Sequence, residues 1–573
     1  MDGVRRRAWT KQAETPIVTA CTRHPEETIN PLDSDSTILM PRVASGAERL
    51  ALRVLQLGAV AVVVAAATYK VFELDRFFVP KELALHLAAF LGGVFVIGSV
   101  RRGFATRVDA LLVGYLALCA ISAVFATNHW MAMRALGVSL SSVGVFWAAR
   151  GVRQAGLARP LLIALGVAVV LAAATSLMQT YGVRTDLFSL NRAPGGTLGN
   201  RNFVAHVAAF GLPVLLMCAL RAYRPGGYLL GMLGVAAIAA VLFLTRSRAA
   251  WLALIAVGFV LLFGIPWVPP LRRSGKILGK FFALLVIGGG LGVAAGLLIP
   301  NTLNWKSDNP YLETAKGVVN YQEGSGKGRL IQYQNSLRMT LSHPLLGVGP
   351  GNWSVHYPEY AKRRDPSMNQ NEEGVTSNPW PSSDWVAFLS ERGIPAFVLL
   401  VLAFVGITVG AWRRMRAARD ADEGLVALAL AATLVGAVVV GTFDAVLLLP
   451  LPALWIWAAL GVMLDPADLR PIKAATPVRV GVLVLVSLAA LASAARATAQ
   501  TVAMGLYATS ERSADLRLAS RLDPGSYRIH VRLAQSGTRK LRCEHAIAAH
   551  ELYPEAGQAA QLARRCTKRS KKG

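Results

Sequence analysis

The sequence predicts an all-α, polytopic membrane bundle of about 12–13 transmembrane helices, with one large outer loop and a small helical C-terminal tail. Three observations predict it. Of 573 residues, 54% are hydrophobic and only 16% charged, where a soluble chain carries about 25% charged residues. Mean hydropathy is +0.44. Apolar stretches long enough to cross roughly 30 Å of hydrocarbon follow one another along the chain. A soluble globular enzyme, a disordered chain and a disulfide scaffold are excluded. The net charge of +27 sits in short loops between apolar runs, so membrane topology explains it and nucleic acid is not expected as a partner. The five cysteines (21, 119, 218, 543 and 566) form no CxxC pair or other metal-ligand spacing. No cofactor is expected.

Residues 1–47 are polar and mixed in charge, with Pro16, Pro31 and Pro41. No apolar run follows Arg5-Arg6-Arg7, so a cleavable signal peptide is not indicated and a disordered cytoplasmic tail is expected. Nine apolar spans occupy 48–299, near 50–69, 83–100, 109–126, 131–149, 160–180, 203–220, 227–244, 248–265 and 281–299. Residues 300–384 form a long loop, and loops of this length in a compact bundle are usually functional. Four spans follow within 385–496, near 385–411, 424–441, 449–464 and 478–496. With the N-terminus inside, the inside loops hold nineteen Lys and Arg and the short outside loops nine. That bias predicts a cytoplasmic N-terminus and an outer 300–384 loop. Thirteen spans put the C-terminus outside; twelve would put it inside.

The tail, 497–573, carries helical patterns ending in Asp523-Pro524 and Tyr553-Pro554. These suggest one or two tetratricopeptide-like repeats. Cys543 and Cys566 fall near the start of one helix and the end of the next, positions that approach in an antiparallel hairpin. An outside tail makes a disulfide between them possible; the alternative is two unrelated buried thiols.

Three outer segments are unusual: Gly195–Phe203, Leu244–Trp251, and Gly326-Lys327-Gly328-Arg329 with the amphipathic run that follows. Arg246 and Arg248 stand at a membrane boundary with almost no loop between the spans. Charge at that depth is costly and is functional or paired. Guanidinium suits bidentate phosphate binding, so Arg201, Arg248 and Arg329 are candidates to converge on a diphosphate. The competing reading has them snorkel to headgroups or pair with Asp444, Asp384 or Glu391. Asp384 and Glu391 are seven apart, on one face of a helix entering the membrane. Either could act as a general base, orient an arginine or, for Asp384, cap the helix. His343 and His356 lie in the outer loop. The turn Gly347-Val348-Gly349-Pro350-Gly351 lacks the Gly-Lys-Ser/Thr ending of a phosphate loop and reads as a tight hinge setting the loop against the bundle.

Taken in order, Gly199-Asn200-Arg201-Asn202, Thr245-Arg246-Ser247-Arg248-Ala249-Ala250-Trp251, Arg329, His343 through Trp353 and Asp384 through Gly393 resemble the O-antigen ligase/O-antigen polymerase family of bacterial membrane proteins. The resemblance covers roughly residues 80–500. It implies about twelve helices and a metal-independent glycosyltransferase of the inner membrane, working at the periplasmic face. A glycan would leave its undecaprenyl-diphosphate carrier for a hydroxyl acceptor. Ligases use the lipid A-core, polymerases another repeat unit, and protein O-oligosaccharyltransferases Ser or Thr. It implies Arg248 and Arg329 as diphosphate ligands, with Arg201, Arg246 and His343 as further substrate-binding residues. One departure is clear. Members commonly carry His-Asn-Asp at the end of the loop, and that His is the usual candidate base. Here the positions read Ser382-Ser383-Asp384. Asp384, Glu391 or a loop histidine takes the role, or the branch needs no strong base, or the protein is inactive. An outward repeat tail also occurs among relatives that glycosylate proteins. The readings from other classes are a transporter of a lipid or polyanion and a non-catalytic scaffold.

Overall fold

The computed structural model describes residues 43–573 except 101–104, 190, 306, 308, 318–323, 363, 537 and 571–573. The tail expected at 1–47 lies outside the described residues up to residue 42. The described chain is all-helical, and eleven of its helices are long and apolar enough to cross a membrane. It is a multi-pass membrane bundle. Two further helices coincide with predicted spans. Gly46–Val64 carries Glu48, Arg49 and Arg53 near its start. Pro450–Met463 has only 14 residues, and all of them are buried. A helix too short to span is tolerated there because protein, and not lipid, surrounds it.

Local chemistry sets the helix starts. Ser45 with Glu48, and Thr106 with Asp109, form capping boxes. The side chains of Asn128, Ser383 and Asp420 accept from backbone N–H groups in the first turns of their helices. Each cap satisfies a donor the helix itself leaves open. Asp109 also accepts from Arg150, 2.8 Å, and Trp147, 3.0 Å, which pairs a fully buried guanidinium.

The helix Asp384–Ala417 is interrupted at Gly393, where φ is 80° and ψ 169°. A side chain there would sit 2.3 Å from the Leu345 carbonyl oxygen, so only glycine fits. The break frees carbonyls that lipid cannot satisfy, and the 300–384 loop meets them. Val348 N–H donates to Ser390, 3.1 Å, Gly349 N–H to Glu391, 2.9 Å, and Ile394 N–H to Pro344, 2.8 Å. The segment His343–Gly351 is therefore the hinge that seats the loop on the bundle.

Thr476–Thr509 runs for 34 residues, about 51 Å at 1.5 Å per residue. It outruns the hydrocarbon layer and delivers the tail to the bundle end that carries the loop. Four helices follow: Ser513–Leu522, Tyr527–Gln535, Arg539–Leu552 and Gly557–Ser570. A disulfide joins Cys543 to Cys566. Asn128 Nδ2 donates to Gly525 O at 3.3 Å, Arg528 Nη1 to Val71 O at 2.7 Å, and Gly557 N–H to Glu373 O at 2.9 Å. Loop, tail and the segments singled out above thus share one end of the bundle.

Candidate functional site

Asn200 caps the helix Arg201–Leu220, its side chain accepting from Asn202 N–H at 3.0 Å, which places Arg201 at the helix start. Pro225–Thr245 ends at Arg246 in the left-handed region, φ 54°. That conformation is costly for a residue with a side chain. It turns the chain back within two residues, so that Ser247 stands just before Arg248–Gly264. The two arginines emerge side by side for this reason.

Trp305 from the loop lies between two of them. Its ring centroid is 4.9 Å from the Arg201 guanidinium and 4.7 Å from that of Arg246. The aromatic faces offset part of the repulsion between like charges. Arg246 Nε also donates to Thr314 Oγ1 at 2.8 Å, and Arg248 Nη1 to Gly317 O at 2.8 Å. Burial pulls Arg246 down from the ordinary arginine range, and Glu313 opposes this. Arg329, in the helix Gly324–Ser342, joins the group from above. Its charge acts on both Asp444 and His206. Arg192 acts on Arg201 and Asp444. The structure thus gathers Arg201, Arg246, Arg248 and Arg329, and adds Arg192.

Asp444 is the carboxylate of this cluster. It follows the helix Ala421–Phe443 and accepts from Ala445 N–H at 2.9 Å and from the Asn202 side chain. Burial pushes its carboxyl up, against the pull of Arg329 and Arg192. Tyr333 ties this place to the end of the loop, its hydroxyl lying 2.7 Å from both Ser382 O and Thr442 O and sharing its one proton between them. Gln332 Oε1 holds Ser382 N–H at 2.6 Å. The position where the resemblance leads one to expect histidine therefore adjoins the turn bearing Asp444.

The two predicted catalytic carboxylates occupy different places. Asp384 has no exposed surface. Its oxygens accept from Val446 N–H at 2.9 Å, Leu447 N–H at 2.9 Å and Leu448 N–H at 3.3 Å. Its oxygens are thus engaged by backbone donors of the turn that follows Asp444. It fixes the turn 444–449, and so positions Asp444. Glu391 is 1% exposed. Its Oε2 accepts from Gly351 N–H at 2.9 Å and from Arg392 Nη1 at 3.1 Å, pinning the hinge to the broken helix. His343 stands 14 residues beyond Arg329, about 21 Å along the helix, and pairs with the His356 ring at 6.3 Å. It does not join the arginine group. Among the described residues no cluster of His, Cys, Asp or Glu is arranged to hold a metal ion.

A cavity of about 400 Å³ adjoins this cluster. Arg192 lines it, as do Leu447, Leu448 and Leu449, which follow Asp444. Residues 233–401 match the O-antigen ligase family. The O-antigen ligase stretch holds Arg246, Arg248, Arg329, His343, Asp384 and Glu391, while Arg201 and Asp444 flank it on either side. The match supports a membrane function of the ligase or polymerase type. No curated protein matches the chain.

Sequence reasoning named Asp444 only as a possible arginine partner and passed over Asn202 and Trp305. Asn202 lay within the quoted Gly-Asn-Arg-Asn motif, so a signal was available. Asp444 and Trp305 carried none, since their partners are remote in sequence.

Proposed function

We propose that this protein is an inner-membrane glycosyltransferase of the O-antigen ligase type. It moves a saccharide from an undecaprenyl-diphosphate carrier to a hydroxyl acceptor, the lipid A-core, at the periplasmic face, with its N-terminus cytoplasmic. The observation that carries the reading is the convergence of Arg192, Arg201, Arg246, Arg248 and Arg329 on one end of a bundle with Asp444 and Glu313 as nearby counter-charges. Such an excess of guanidinium at a membrane boundary suits a diphosphate. The positive-inside bias of the loops supports the outer placement. The Cys543–Cys566 disulfide in a tail docked at the same end supports it too, because disulfides persist in oxidising compartments.

The acceptor hydroxyl oxygen attacks the anomeric carbon of the donor sugar. A new glycosidic C–O bond forms as the bond to the diphosphate oxygen breaks. Arg248 and Arg329, supported by Arg201, stabilise the charge that builds on the leaving diphosphate. Asp444 takes the acceptor proton; its raised carboxyl brings it closer to a base matched to neutral pH. Asp384 positions the turn that carries it.

The test is a strain lacking this gene, its lipopolysaccharide compared with the parent's on a gel. Loss of long O-antigen with core-lipid A retained and lipid-linked polymer accumulating supports the ligase. Core bearing a single repeat instead makes it a polymerase. An unchanged ladder contradicts both and directs attention to a protein acceptor.

A further inference from the structure

We propose that the cavity roofed by the C-terminal tail is a binding site for an uncharged stretch of saccharide, with Asp523 receiving its hydroxyl groups. The volume, about 400 Å³, falls within the range of about 300–1,000 Å³ usual for small-molecule sites.

The charges in its walls nearly balance, five arginines against six carboxylates, and the central ones are already paired. Glu82 lies between Arg134, 2.7 Å, and Arg496, 2.9 Å. Arg134 also holds Asp75 at 2.8 Å, and Arg392 pairs with Glu391. A polyanion would have to break these pairs, and an alkyl chain would bury them against hydrocarbon, which is costly. A polyhydroxylated ligand meets neither objection.

Aromatic rings supply the other half of a sugar site. Trp130, Trp380, Phe78, Tyr527 and Tyr553 line the space. The C–H bonds on one face of a pyranose carry partial positive charge and suit the negative face of an aromatic ring.

Asp523 differs from Asp75, Glu82 and Glu391, which are all paired with arginine. It forms no ion pair within 4.0 Å among the described residues, and the Gln500 side chain is its hydrogen-bonding partner. A desolvated carboxylate with spare acceptor capacity calls for hydroxyl donors.

The roof is built on to the bundle and does not lie loosely over it. A Cβ on Gly525 would come 2.4 Å from Trp130 Cβ, so glycine allows the tail to seat on that ring. Tyr553 contacts Met131 through its hydroxyl at 3.2 Å, and Arg528 reaches Val71 O. On its far side the cavity meets Arg192 and the segment after Asp444. This inference rests on the proposed function only for the origin of the saccharide, which could belong to the acceptor or to the lipid-linked donor.

The test uses the full chain purified in detergent, with binding followed by calorimetry. One arm titrates delipidated core oligosaccharide; the other titrates the oligosaccharide released from the lipid-linked glycan by mild acid. Saturable binding in either arm, weakened tenfold or more in Asp523→Asn, is the expected result, and the arm that binds names the source. Trp380→Leu serves as a second variant, since its ring is also in the wall; it too should weaken binding. Absence of binding in both arms overturns the proposal, as does wild-type binding by both variants. Arg248→Ala separates the two ideas. If it abolishes transfer while neither saccharide binds the wild type, the cavity proposal fails and the function stands. If Asp523-dependent binding is found while Arg248→Ala transfers normally, the function fails and the cavity stands.

Discussion

Asp384→Ala should unfold the loop-bearing end of this protein before it affects any chemical step. The carboxylate is fully buried and accepts two backbone N–H bonds of 2.9 Å and a third of 3.3 Å. Alanine leaves those donors facing a space with no replacement acceptor. Each orphaned buried group costs about 1–3 kcal/mol, so the two short bonds alone give about 2–6 kcal/mol. Asp384→Asn keeps one carbonyl oxygen and the volume, and should lose markedly less. The assay is thermal unfolding of each purified variant in detergent, with transfer measured well below the transition. The expected order of stability is wild type, Asn, Ala, with Asn retaining most activity. An Asp384→Asn variant that melts like wild type yet has lost transfer would refute the positioning role and restore Asp384 as the reacting carboxylate.

Asp444→Asn should leave the protein folded and lower kcat by about a hundredfold or more, the usual worth of a general base, with KM little changed in steady-state assays. Because burial raises the Asp444 carboxyl and the base must be ionised, the rate should climb with pH through a value above the ordinary carboxylate range. Arg329 favours the charged form, so Arg329→Gln should move that limb to higher pH, and an unmoved limb would argue against Asp444. Asp523 has its carboxyl pushed up to about 6 by burial, against about 3.9 in an unfolded chain. Its contribution to stability is therefore full below about 3.9 and is lost as pH rises through about 6. Asp523→Asn should flatten that part of the pH–stability curve and stabilise the tail at neutral pH, as read by limited proteolysis. Reducing Cys543–Cys566, 23 residues apart, should cost the tail about 3 kcal/mol on loop-entropy grounds, so that protease cuts the tail while the bundle stays intact.

The bundle was legible because its signal is local. Each of the thirteen apolar stretches overlaps a helix, since in lipid a run of about twenty apolar residues has few other ways to satisfy its backbone. Arg246 and Arg248 were legible for a related reason: charge squeezed between two spans stands out from its neighbours. The carboxylates were not. Asp384 has the look of a helix cap or a base, and its backbone donors lie 62–64 residues away. Asp444 looks like any polar residue at a helix end until Asn202, Arg329 and Tyr333 are folded around it. The glycine at 393 gave no hint of a break, because what requires it is the Leu345 carbonyl on another segment. The tail patterns indicated helices, but not that Asp523 and Tyr527 would close a cavity over Trp130.

The most direct measurement is transfer by the purified full chain with an undecaprenyl-diphosphate-linked saccharide as donor and lipid A-core as acceptor, comparing wild type with Arg248→Ala. Both proteins should show the same thermal transition. The account predicts transfer by the wild type and a loss of about 10²–10³-fold in the variant, the scale for removing one group that stabilises a developing anion. Equal rates from the two proteins would contradict it.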